Sequence, residues 1–148
     1  MWKSFRHKLR TASQFSPGDW LGLLEAWSTL LGFYLALRLL SFDRLEAFTR
    51  LAEEKGAVPA ETLAWAWRRQ RLVSVAARLH LLSMTCLPRA LALRWMASRR
   101  GIPAQLRIGI NKSSKGVLAH AWVDIQGEMV GEPEDIAERF EILHPVER

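Results

Sequence analysis

The sequence is poor in the residues that build cross-linked or metal-stabilised folds. Cys86 is its only cysteine, so an internal disulfide and a cysteine-rich metal site are both excluded. The four histidines, at positions 7, 80, 120 and 144, are scattered and show no ligand spacing. Internal repeats, low-complexity tracts and long linkers are lacking as well. We therefore expect no cofactor and no metal, and a single domain over residues 1–148 with a helical half, 1–82, followed by 83–148.

An uninterrupted apolar run of membrane length is also missing. The longest run, 20–40, contains Glu25 and Arg38, which leaves only 26–37 free of charge. Because a spanning helix needs about 20 apolar residues, a packed core helix is favoured over a spanning or interfacial one. No small-residue cleavage site of a signal peptide follows the run. We expect a cytoplasmic protein, with membrane contact through residues 20–40 as the disfavoured alternative.

Positive charge is in excess. The chain has 21 Lys and Arg against 15 Asp and Glu, a formal net charge of +6 at pH 7. This excess favours anionic partners, such as nucleic acid, an acidic peptide or a membrane surface. The sequence has neither a helix-turn-helix signature nor an aromatic platform for single strands, so we do not expect nucleic acid as the partner.

Helical periodicity dominates the first hundred residues, and four helices are predicted, over residues 17–40, 42–55, 60–82 and 87–100. Ser16 precedes Pro17 and stands three residues before Asp19, which is a typical helix start. Ser41 caps the second helix and Gly56 ends it. Gly101 stands where a left-handed residue closes the fourth helix.

After the fourth helix the apolar pattern changes from helical to alternating. Residues 105–110 and 117–125 alternate as strands, and the polar run 111–116 is predicted as a loop. Gln126-Gly127 is a hairpin turn signal, and 128–133 returns as a third strand. The predicted class is therefore α+β, with a helical first half and a small antiparallel sheet.

Cys86 precedes a predicted helix, where the unpaired N–H groups and the helix dipole stabilise a thiolate. A catalytic thiol also needs a base. His120 is the best candidate because it lies on a strand, opposite the aliphatic face and beside Trp122. His80 and His144 are competing bases. The alternative is structural: a small buried thiol and an unrelated strand histidine.

Three blocks carry a resemblance: TCLPRALALRWM, RRGIPAQLRIGI and AHAWVDIQGEMV, at 85–96, 99–110 and 119–130. In order and spacing they resemble the transglutaminase-like cysteine peptidase of lasso-peptide biosynthesis. This is the leader-removing B protein, or its C-terminal half where that protein is split in two. The resemblance covers residues from about 84 to 140, and the length and Leu-rich first half fit the split form.

The resemblance implies a fold of the transglutaminase/papain type with a catalytic triad. Cys86 matches the nucleophile of the family and His120 its base. The third member is an acid on the strand after the histidine strand, usually Asp, and this chain has Glu132 at that place. Asp124 and Asp135 are the alternatives.

The hairpin register bears on the choice of acid. A two-residue turn at Gln126-Gly127 pairs Ala121 with Glu132, and opposed residues share a face, so Glu132 points away from His120. A longer turn, or a bulge near Gly131, is needed to bring the carboxylate around. A regular two-residue hairpin counts against Glu132.

The resemblance also implies partners: a precursor (leader) peptide, a separate small leader-recognition protein and the macrolactam-forming ligase. Five arginines are candidates to meet an acidic leader or that partner, or else form a solvated helix face: Arg68, Arg69, Arg71, Arg99 and Arg100. Three rival functions stay open. These are a transglutaminase-like acyltransferase to an amine, a non-enzymatic basic binding module and a membrane-surface scaffold.

Overall fold

The computed structural model describes residues 16–49, 60–113 and 116–143. Its elements, in chain order, are α1 Pro17–Leu39, α2 Phe42–Thr49, α3 Ala60–Leu79, α4 Cys86–Ser98, β1 Gln105–Ser113, β2 Gly116–Ile125, β3 Glu128–Val130, α5 Ile136–Arg139 and β4 Glu141–Ile142. The predicted α+β class, helices followed by a small antiparallel sheet, is confirmed.

The helix starts and ends follow the local chemistry of the sequence. Ser16 and Asp19 form a capping box, in which the Asp19 N–H donates to the Ser16 hydroxyl and the Ser16 N–H donates to the Asp19 carboxylate. Gly101 has a positive φ of 69° just after α4, as predicted for a helix end. The predicted end of the second helix at Gly56 lies outside the described residues.

An ion pair ties the start of α1 to α3. Asp19 is only 7 % exposed, and its two carboxylate oxygens accept hydrogen bonds from Arg68 at 2.7 and 2.8 Å. The Arg68 hydrogen bond, with further ones from Ser16, holds the pKa of Asp19 well below its ordinary value of 3.8. The carboxylate therefore stays charged in the folded state at acidity that would protonate it in the unfolded chain.

The Asp19 ion pair predicts a pH dependence of stability. Because the folded pKa is lowered, its contribution is complete above pH 3.8 and is lost as the pH falls from there towards the folded value. In urea unfolding, we expect Asp19→Asn to destabilise the protein most near pH 7, with the difference from wild type shrinking below pH 4. The control is Asp135→Asn, at an exposed carboxylate, which should stay close to wild type throughout. If Asp19→Asn lowered the free energy of unfolding by the same amount at every pH, the prediction would be contradicted.

The helix α4 lies at the centre of the fold. It is buried on nearly all sides, including Arg94, whose Nε donates to the carbonyl oxygen of Ala104. On one side Leu91 and Met96 join the helical core formed with α1 and α3. On the other side Leu93 packs into the core beneath the sheet. Since α4 contacts both layers, its first residue, Cys86, is fixed relative to the strands.

The helix α1 is the only one in the described part of the chain that is long and apolar enough to cross a membrane. Core helices of soluble proteins meet the same criterion. On α1, Ala26, Leu30 and Phe33 are buried in the helical core, whereas Leu21 and Leu39 on its other sides are exposed.

The sheet is antiparallel, in the order β3-β2-β1-β4. The prediction of a loop over 111–116 is wrong for most of that segment. The β1–β2 ladder continues through Lys112 opposite Val117 to Ser113 opposite Gly116. Strand pairing overrides the polar composition there, because exposed strand ends tolerate polar side chains. The edge strand β4, which pairs Ile142 with Gly109, was not predicted.

Candidate active site

Cys86 is the first residue of α4, and it is a free, half-buried thiol. The N-cap residue, Thr85, makes no side-chain hydrogen bond to the helix. The first-turn N–H groups, which have no partners within a helix, are thus not taken up by the cap side chain. Position 86 therefore places sulfur at the positive end of a helix that is buried along its length.

His120 lies on β2 and is held by a carboxylate. Its Nε2 is 3.0 Å from Oε1 of Glu132, and both side chains are mostly buried. With Nε2 bonded to the carboxylate, Nδ1 is the ring nitrogen left to exchange a proton with another group. The arrangement fixes both the orientation and the tautomer of the ring.

Aromatic rings support the histidine. The His120 ring stacks on Trp122, with centroids 5.9 Å apart, and lies 5.6 Å from the ring of Phe140. Gly109, opposite His120 on β1, leaves room for this packing, because a Cβ there would approach Trp122 and Phe140 to 2.8 Å. The rings of Trp122 and Phe140 limit the freedom of the histidine and keep water from one side of it.

The hairpin brings Glu132 to His120 through an irregularity at Gly131, the place where the register required one. The turn is a regular two-residue turn, with Ile125 opposite Glu128 and positive φ at Gln126 and Gly127. However, the strand pairing ends at Val130. Gly131 then adopts a φ of 85°, and the Glu132 N–H donates to the Met129 carbonyl oxygen at 3.1 Å. The inference that a regular hairpin counts against Glu132 is therefore wrong, because strand alternation no longer applies beyond Val130.

The other two candidate acids have different roles. Asp124 accepts two hydrogen bonds from Arg107 and one, at 2.7 Å, from the Gly127 N–H, so it braces the hairpin turn. Asp135 is exposed at the start of α5. Of the three acids, only Glu132 contacts His120.

His80, one of the two competing bases, lies away from the catalytic cavity. The His80 ring stacks on Trp27, with centroids 4.4 Å apart, and its Nε2 lies 3.2 Å from the Trp27 carbonyl oxygen. This position is in the helical layer, and His80 does not line the cavity that holds His120. His144 lies outside the described residues.

Cys86, His120 and Glu132 line one small cavity of about 50 Å³. Two polar side chains that the sequence reasoning did not single out, Gln70 and Arg89, line it as well. The sequence could have identified Arg89 as a site residue, because it stands three residues after Cys86 and so lies on the same helix face. Its Nε is buried and has no hydrogen-bond partner among the described residues. Gln70 comes from α3, and no local pattern connects it to Cys86.

Gly131 offers a test of how Glu132 is positioned. A Cβ at this position would lie 2.4 Å from Cγ of Gln70, and the φ of 85° is unfavourable for any other residue. We expect Gly131→Ala to cost about 1–3 kcal/mol in the free energy of unfolding. Because Glu132 must shift with the turn, we also expect a loss of about 100-fold in the catalytic rate of the function proposed below.

The matched control is Gly127→Ala. Gly127 has a φ of 87°, and nothing lies within 4 Å of its missing Cβ. That variant should lose only the part of the stability that comes from the positive φ, measured by urea unfolding, and keep the wild-type rate. Equal rates for the two alanine variants would contradict the positioning role of the Gly131 turn.

A thiol at a helix start, with a histidine and its carboxylate partner around the same cavity, is the arrangement that thiol-based acyl-transfer enzymes require. The sequence profile of the Transglutaminase-like superfamily matches residues 29–144, and the chain belongs to this superfamily. The superfamily is generally enzymatic and includes cysteine peptidases and acyltransferases. Comparison with curated proteins finds no match, and neither does comparison with solved structures.

Proposed function

We propose that the protein is a cytoplasmic cysteine peptidase of the transglutaminase/papain type that removes the leader peptide from a ribosomally made lasso-peptide precursor. The observation that carries the peptidase proposal is the 3.0 Å contact between His120 and Glu132 in the cavity lined by Cys86. The lasso-peptide substrate is supported by the three sequence blocks that surround these residues.

In the proposed acylation step, the Cys86 thiol gives its proton to Nδ1 of His120, and the sulfur attacks the carbonyl carbon at the leader–core junction. The tetrahedral intermediate collapses when the C–N bond breaks and His120 returns the proton to the departing amine. The leader is then held as a thioester on Cys86. Water, deprotonated by His120, hydrolyses this thioester to a carboxylate and restores the thiol. Glu132 stabilises the imidazolium in both steps.

The oxyanion of each tetrahedral intermediate needs donors. The first is the Cys86 N–H, which has no acceptor within α4 because it opens the helix. The second in our proposal is the guanidinium of Arg89, whose buried Nε has no partner among the described residues. Its positive charge offsets the negative charge that develops on the oxygen in a site with little access to water.

The partners in this proposal are the precursor, a separate small leader-recognition protein and the macrolactam-forming ligase, which would take up the freed core. The test is to incubate the protein with the precursor and that recognition protein and to weigh the products. Hydrolysis gives two fragments whose masses sum to the precursor plus one water. An adduct between the leader fragment and an added amine would instead identify an acyltransferase. An intact precursor under all conditions would overturn the proposal.

A further inference from the structure

A second, larger cavity adjoins the catalytic one. It has a volume of about 720 Å³, within the range of ligand clefts, and lies along α3 between the start of α1 and Gly131. Eight residues of α3 line it, and among them Ala64, Arg68, Arg71 and Val75 recur every three or four positions and so share one helix face. Gln70 lines both cavities, so this groove meets the catalytic cavity at Gln70.

The charge in the groove is unbalanced. Asp19 and Arg68 both line it, but they neutralise each other in the ion pair described above. Five arginines were candidates for a partner contact or for a solvated helix face, and four of them have partners within the chain, Arg68 being paired with Asp19. Arg69 contacts Glu25 and Trp65, Arg99 contacts Glu25 and Trp95, and Arg100 lies over Trp65. Arg71 has no hydrogen bond or ion pair with any described residue, and it is exposed. Among the described residues that line the groove, Arg71 therefore carries a positive charge that no carboxylate neutralises.

An aromatic ring stands beside this charge. Trp67 is 43 % exposed and is four residues before Arg71, so the two side chains are neighbours along the helix. Exposed tryptophan and arginine are the residues that most often dominate binding energy at protein interfaces. Together they suit a peptide with an acidic side chain and an apolar side chain close together.

We propose that this groove binds an acidic segment of the peptide substrate next to the bond that is cleaved, with a carboxylate against Arg71 and an apolar side chain against Trp67. The inference rests on the proposed peptidase function, which supplies the peptide substrate. An acidic peptide matches the charge of Arg71 better than residues 1–15 do, since these include Lys3, Arg6, Lys8 and Arg10 and no acid.

The test compares two charge reversals on the same helix. Arg71→Glu reverses the charge in the groove, whereas Arg78→Glu makes the same change at an exposed position outside it. In the cleavage assay with precursor and recognition protein, we expect Arg71→Glu to raise KM at least about tenfold with kcat within about twofold of wild type. Arg78→Glu should leave both unchanged. Among precursor variants with one acidic residue replaced by lysine, one should restore a low KM to Arg71→Glu.

A binding measurement separates this inference from the proposed function. Fluorescently labelled precursor is titrated into Cys86→Ala protein that carries either Arg71→Glu or Arg78→Glu, and anisotropy is recorded. Weaker binding only with Arg71→Glu supports the groove, even if the wild-type protein cleaves nothing and the proposed function fails. Equal binding by both proteins, equal KM values, or preferential binding of an oligonucleotide by the groove would overturn the inference while leaving cleavage by Cys86 intact.

Discussion

Cys86→Ala is expected to reduce leader cleavage by at least about 10⁴-fold, because the variant has no group that can form the thioester. His120→Ala should reduce leader cleavage by a similar factor, because the thiol then has no base and the departing amine has no proton donor. The measurement is the single-turnover rate of leader release, followed by mass spectrometry. Both variants should remain folded, because neither residue belongs to the fully buried core.

The matched control for this pair is Ser83→Ala. Ser83 is exposed, three residues before Cys86, and does not line the catalytic cavity. The Ser83→Ala variant should release the leader at the wild-type rate. Leader release by Cys86→Ala at a rate near that of Ser83→Ala would exclude the thioester mechanism.

Glu132→Gln is the second large effect, with an expected loss of about 10²–10⁴-fold in kcat. The amide keeps the size of the side chain but does not stabilise the imidazolium, and it favours the wrong tautomer when its NH₂ faces the ring. The change should leave KM close to wild type, because Glu132 acts through His120. Steady-state kinetics of leader release measures both quantities.

Asp124→Asn is the comparison that separates catalysis from support of the fold. Asp124 accepts hydrogen bonds from Arg107 and Gly127 and has no contact with His120. Its replacement should cost about 1–3 kcal/mol in the free energy of unfolding, because the amide has one acceptor oxygen in place of two and loses the charge that pairs with Arg107, and should leave kcat unchanged. The reverse pattern, with kcat lost in Asp124→Asn and kept in Glu132→Gln, would assign the acid to Asp124.

Local sequence signals predicted the parts of the fold that local chemistry determines. Ser16 and Asp19 predicted the start of α1, and they form its capping box. Gly101 predicted the end of α4, and Gln126-Gly127 predicted the turn of the β2–β3 hairpin. Each of these features depends on residues within a few positions of each other, so their chemistry is readable along the chain.

The sequence reasoning failed where distant residues meet. The irregularity required near Gly131 is present, but it is a turn beyond the end of the ladder at Val130 and not a bulge within the strand pair. Gln70 reaches the cavity only because α3 packs beside α4 and β3. A single sequence does not report such packing, whereas the helix-start position of Cys86 is a local property.

Alkylation of the native protein tests the central claim, that Cys86 is the nucleophile, most directly. Because Cys86 is the only cysteine in the chain, iodoacetamide has one thiol to modify. The alkylated fraction is read from the intact mass, and leader release is measured on the same samples. Our account predicts that cleavage falls in proportion to the alkylated fraction and reaches background when every Cys86 carries the group. Cleavage at the full rate by fully alkylated protein would contradict it.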